Sequence, residues 1–192
     1  MEIRIPLFRV DEKKLVLVAG HVVPASTEEG DWAGAGLYFW DNLGNASFWL
    51  STKRTNKHRY SIVKCWLLTR ENQVLDLTEP NSVRRFLSLI ALFKSSHPRV
   101  FLGVDETHKG ALINTLRRWI PRWNAGNPSR FIPVFTVVKV IGYYPRAPEP
   151  FLFMQGDVQK TLPHATITAK PIYSIIDQKQ LTDSTIILGD EP

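Results

Sequence analysis

Apolar and polar positions alternate through the first residues of this chain, as they do in a strand with one buried face. Extended segments are predicted at Glu2–Phe8, Lys14–Val22, Gly36–Trp40, Tyr60–Leu68, Phe131–Tyr143, Ala165–Ala169 and Ile172–Ile176, all rich in Val, Ile, Phe or Tyr. Three helices are expected. Asn45–Lys53 opens after Gly44. Ser82–Lys94 follows Pro80 and Asn81, with Val83, Leu87 and Ile90 as its apolar stripe. Thr107–Ile120 carries Leu112, Ile113 and Leu116 on one face and is expected to stop at Pro121. Strands outnumber helices and do not alternate with them regularly. That pattern predicts a mixed α+β domain rather than a doubly wound parallel sheet.

The 192 residues fit a single domain spanning 1–192, large enough to bury a core without disulfides. Cys65 is the one cysteine and sits in an apolar run, so no internal bridge and no zinc spacing is available. A reducing, cytoplasmic setting is the expectation. The N-terminus lacks the apolar core of a signal peptide, and no run approaches the ~20 apolar residues of a membrane span. No Gly-rich loop follows a strand in the manner of a Rossmann or P-loop site, so a dinucleotide would have to be held another way.

Charge changes the picture. There are 24 basic and 18 acidic residues, and two acid-free stretches concentrate the excess. Ser51–Tyr60 holds Lys53, Arg54, Lys57, His58 and Arg59. Arg117–Arg130 holds Arg117, Arg118, Arg122 and Arg130, interleaved with Trp119 and Trp123. Cations beside aromatic rings suit single-stranded nucleic acid and suit a dinucleotide pyrophosphate equally. Solvated surface charge is the plain alternative. Asp105 and Glu106, ahead of a helix, suit its N-terminus, while Glu149, Asp157, Asp177 and His164 are expected at the surface.

The most informative stretch is Asp31–Trp49. Gly36-Leu37-Tyr38-Phe39 predicts a strand that leads into a short helix ending near Trp49, 11 residues after Tyr38. Two rings so placed can hold a flat heterocycle between them, although packing alone would also account for them. This motif, with Asp31-Trp32 before it and Trp40-Asp41 behind, resembles the nicotinamide pocket of ADP-ribosyltransferases. The likeness is to the poly(ADP-ribose) polymerase branch and its small bacterial and phage relatives, and it is thin outside Asp31–Trp49.

The resemblance implies two small antiparallel sheets forming a split β-sandwich with flanking helices, and NAD as substrate. It implies Tyr38 and Trp49 as the ring clamp and His21, at the end of an early strand, as the ribose contact. Val22 stands where the family has a glycine after that histidine. The family's late glutamate has two registers here. Pro171-Ile172-Tyr173-Ser174-Ile175-Ile176-Asp177 puts Ile172 in its place. Phe153-Met154-Gln155-Gly156 puts Gln155 there, which keeps the hydrogen-bonding shape and loses the charge.

The function expected on that resemblance is mono-ADP-ribosyl transfer from NAD to a macromolecule. Nucleic acid comes first because of Lys53, Arg54, Lys57 and Arg59, protein second; such relatives act as toxins or in phage defence. The rivals are a catalytically silent module of the same fold that binds NAD, ADP-ribose or nucleic acid, and a basic α+β RNA-binding protein in which the motif is fortuitous.

Overall fold

The computed structural model describes residues 1–12, 32–53, 57–143 and 169–188. The expected strand Lys14–Val22, all but the last residue of Ala165–Ala169, and the site residues His21, Arg54 and Gln155 lie outside them.

Among the described residues, seven strands form one mostly antiparallel sheet with three α-helices, as the pattern predicted for a mixed α+β chain. The strands are β1 (Glu2–Glu12), β2 (Leu37–Trp40), β3 (Tyr60–Arg70), β4 (Val74–Asp76), β5 (Val137–Tyr143), β6 (Ala169–Ile175) and β7 (Leu181–Leu188). The helices are α1 (Leu43–Thr52), α2 (Pro80–Ser96) and α3 (Lys109–Gly126). Their order in the sheet is β4-β5-β6-β2-β1-β3-β7, with β4 and β5 parallel and every other pair antiparallel.

This sheet cannot be flat. β3 and β4 are joined only by the turn Glu71–Gln73 yet stand five places apart in the strand order. In a flat sheet they would be about 24 Å apart, whereas the chain from Arg70 to Val74 reaches at most about 14 Å. The sheet therefore folds over on itself, bringing its two edges together. Pairing is thinnest between β1 and β2, which share only the pair Phe8 and Trp40.

Folding over creates two cores. The inner one is built from strand residues alone: Leu7, Leu37, Phe39, Val63, Cys65, Leu67, Val137, Tyr173 and Ile175. The outer one lies between the sheet and the helices and takes Phe86, Ile90 and Phe93 from α2 and Ile113, Leu116 and Ile120 from α3. Cys65, inside the inner core, has its thiol pushed up to about 12 by burial, with Arg9 opposing. It is an inert core residue under native conditions.

Several boundaries differ from expectation. Helix α3 does not end at Pro121 but runs through it to Gly126. A mid-helix proline forfeits one hydrogen bond and crowds the preceding turn, at a cost of about 3 kcal/mol. Tertiary contacts on both sides of it offset that cost. Ile120 is fully buried, Trp123 packs edge-on against Phe93 at 5.4 Å, and Asn124 exchanges two hydrogen bonds with the Ile132 backbone at 2.8 and 2.9 Å. The strand expected over Phe131–Tyr143 begins only at Val137, where its pairing with β4 and β6 starts. Two strands, β4 and β7, have no counterpart in the pattern-based reading.

Candidate functional site

Tyr38 owes its position to the turn that precedes it. Gly34 has φ +73° and Gly36 φ +156°, conformations an L-side chain rarely adopts. A Cβ at Gly36 would also sit 2.4 Å from Ser174 Oγ and 3.0 Å from the Ile175 carbonyl. The turn is then held by four side chains. Asn114 Oδ1 accepts from the Ala35 amide at 2.7 Å, and Ser174 Oγ lies 3.3 Å from the carbonyls of both Gly34 and Ala35. The Tyr38 hydroxyl donates to Gly34 O at 2.7 Å and accepts from the Ala33 amide at 3.2 Å.

The fourth is Arg117. Its guanidinium donates to the carbonyls of Ala35 (2.7 Å), Thr136 (3.2 Å), Phe135 (3.4 Å) and Ser174 (3.5 Å), tying α3 to the turn, to β6 and to the lead-in of β5. Burial depresses its pKa to about 10, with Tyr38 opposing, so it stays cationic at neutral pH. Arg117 belongs to the second basic stretch and is no surface cation: only 8 % of it is exposed. The tryptophans beside it are likewise packing residues. Trp119 and Trp123 lie against His97 at 5.3 and 5.5 Å.

Helix α1 carries the second ring. Asn42 caps it by accepting from the Asn45 amide at 2.8 Å, and Ala46 and Leu50 face the core. Trp49 and Tyr38 are both half-buried and pack on the same helix-side core. Trp40 lies beside Trp49, with centroids 5.8 Å apart and planes tilted by 37°. Lys53 Nζ lies 4.9 Å from the Trp49 ring and 5.5 Å from Tyr60, a cation shared by two aromatic faces. Arg59 is exposed in the turn Lys57–Arg59; the Lys57 side chain is outside the described residues.

Pattern reading missed several neighbours of this site. Lys170 on β6 is buried, donates to Asn45 Oδ1 at 2.8 Å and lies 4.8 Å over Phe48. Burial pulls its pKa down while Asp41 pulls it up. The Asp41 carboxylate accepts from Asn42 at 2.7 Å and Asn45 at 3.1 Å. Asp41-Asn42 before a helix was a legible capping signal; Lys170, 125 residues from Asn45, had none. Ile172 is 3 % exposed and pairs with Trp40, so that register presents an aliphatic core residue in place of a carboxylate.

The inner face turns polar at the same end of the sheet. Arg9 bonds Asp11 at 2.6 Å, and Lys139 bonds Asp76 at 2.8 Å. Burial raises the Asp11 pKa against the pull of Arg9. Among the described residues, Asp11 Oδ2 and Ser61 Oγ, on facing residues of β1 and β3, are buried with no hydrogen-bond partner. Among the described residues no group of three His, Cys, Asp or Glu could hold a metal, and no helix is long and apolar enough to cross a membrane. Compared with protein-family models, curated proteins and solved structures, the chain matches none.

Proposed function

We propose that this chain is an ADP-ribosyltransferase-fold protein that binds NAD and transfers single ADP-ribose units to a macromolecule, nucleic acid before protein, in the manner of toxins and phage-defence effectors. One observation carries the reading. The two segments that resemble this family, Gly36–Phe39 and Ile172–Asp177, lie far apart in sequence, yet β2 and β6 are direct neighbours with Tyr38 opposite Ser174. Tyr38 faces the helix side with Trp49 while Phe39 fills the inner core, which is the division of labour a ring-holding strand needs.

The chemistry asked of such a site is cleavage of the bond between nicotinamide and ribose through a cationic centre. Tyr38 and Trp49 would hold the leaving ring, Lys53 would favour the pyrophosphate, and a charge near the ribose would support the transition state. Gln155 can bind a ribose hydroxyl without supplying that charge, so turnover is slow.

The test is nicotinamide release at saturating NAD, together with NAD titration. Trp49→Ala is expected to weaken NAD binding by about 1–3 kcal/mol, the value of a stacked ring. Gln155→Glu is expected to raise release at least ~10-fold, about 1.4 kcal/mol on the barrier. Unchanged affinity in a folded Trp49→Ala protein would overturn the proposal. The buried Ile172 favours a second reading, a silent binding module; tight NAD binding with no release from either protein would select it.

A further inference from the structure

The net positive charge of this chain resides in one part of the fold. Between Pro80 and Val134 there are nine basic residues against two acids, while the rest of the chain is near neutral at fifteen against sixteen. Both acids are engaged locally, Glu106 with Lys94 and Asp105 with His108. Arg117 is internal, but Arg84, Arg85, Arg99, Lys109, Arg118, Arg122 and Arg130 are all exposed. The layer made by α2, α3 and residues 127–134 is therefore a positive surface on a nearly neutral sheet.

That surface meets the sheet at a groove. A cavity of about 540 Å³ is lined by Arg70, Asn72, Ser82, Arg85 and Phe86 among others. A smaller one of about 190 Å³ adjoins it, sharing Arg70, Asn72 and Pro133 and ending on Phe131. The Phe131 ring is 66 % exposed at the rim of this groove. Among the described lining residues Glu71 is the one acid, against two arginines. Arg70 closes one end of β3 and Tyr60, under Lys53, opens the other. They are the two ends of an eleven-residue strand, ten steps or about 33 Å apart. The groove is thus distinct from the aromatic site.

From this we infer a binding groove for single-stranded nucleic acid at the β3–β4 end of the fold. Arg70 and Arg85 contact phosphates, Phe131 stacks an unpaired base, and the Asn72 amide faces base edges. Exposed rings beside cations select unpaired strands, because a base inside a duplex offers no free face. The groove stands independently of the NAD reading.

Fluorescence anisotropy with a labelled oligouridylate of about 12 nucleotides, within the usual site sizes, tests it on the full chain. The variants are Arg70→Gln/Arg85→Gln, Phe131→Ala and, for the rival cations at the far end, Lys53→Gln/Arg59→Gln, each checked for folding by circular dichroism. The arginine pair is expected to lose at least ~10-fold in affinity and to flatten the log–log salt slope by about 1.4, roughly 0.7 per phosphate contact. Phe131→Ala, at the surface, is expected to lose at least about 5-fold with the salt slope unchanged. Loss confined to the Lys53/Arg59 variant would overturn the proposal. So would equal affinity for a duplex, no binding at low salt, or preference for anionic phosphatidylserine vesicles over the oligonucleotide.

Discussion

Replacing Arg117 should destabilise this protein more than any other change in its basic stretches, and the structure sets the scale. In Arg117→Ala the carbonyls of Ala35 and Thr136 lose donors at 2.7 and 3.2 Å and keep, among the described residues, only Ser174 Oγ at 3.3 Å and the Ile176 amide at 3.1 Å. A buried acceptor left short costs about 1–3 kcal/mol. The contacts at 3.4 and 3.5 Å are near the geometric limit and add little. The vacated volume adds about 1 kcal/mol, and release of a desolvated cation offsets part of the total. The net expectation is a loss of about 3 kcal/mol, or roughly 6–12 °C in Tm for a chain of this size. Arg117→Met, which keeps most of the volume, should lose about 2 kcal/mol. Urea unfolding followed by tryptophan fluorescence measures both. Because Arg117 holds the turn before Tyr38, hydrogen exchange in Arg117→Met should also quicken first at the amides of Tyr38–Trp40. A loss below ~1 kcal/mol in Arg117→Ala, with an unchanged m-value, would refute the claim that this side chain organises the site.

Gly36→Ala should cost more than ~2 kcal/mol, since its Cβ meets the Ile175 backbone, which cannot move without breaking the β2–β6 pairing. Gly103→Ala is the control: its φ is also positive but nothing lies within 4 Å, so only about 1–2 kcal/mol of left-handed strain is expected in thermal unfolding. Asp76 gives a pH signature. Burial opposes its ionisation, but hydrogen bonds from Lys139 and Thr78 outweigh it and hold its pKa below the usual range. Its stabilisation is therefore complete above the ordinary carboxylate pKa of about 3.9 and is lost as pH falls through the lower folded value. Asp76→Asn should flatten the acid limb of a stability–pH curve measured between neutrality and strong acid; identical limbs would count against the ion pair with Lys139.

Local chemistry in the chain was enough to place β1, β2, β3 and β6 to within a few residues and all three helix starts to within two, because each rests on neighbours in sequence, such as alternation in the strands and Pro80 at the first turn of α2. The placement of Tyr38 and Trp49 on consecutive elements was likewise legible. Elements defined by distant partners were not. β4 is three residues long and is a strand only because β5 pairs with it in parallel. β7 has broken alternation, with register shifts against β3 and a left-handed residue at Asp183. Pro121 reads as a stop and is a helix interior, since Trp123 and Asn124 beyond it find partners only in the folded chain. Arg117 reads as one of several surface arginines; four backbone carbonyls from three separate segments converge on it only after the sheet has folded over. Periodicity and capping depend on residues within a turn or two of one another and survive in the sequence. Burial, charge pairing and the closing of a sheet on itself depend on contacts between residues far apart in the chain, and those exist only once the fold does.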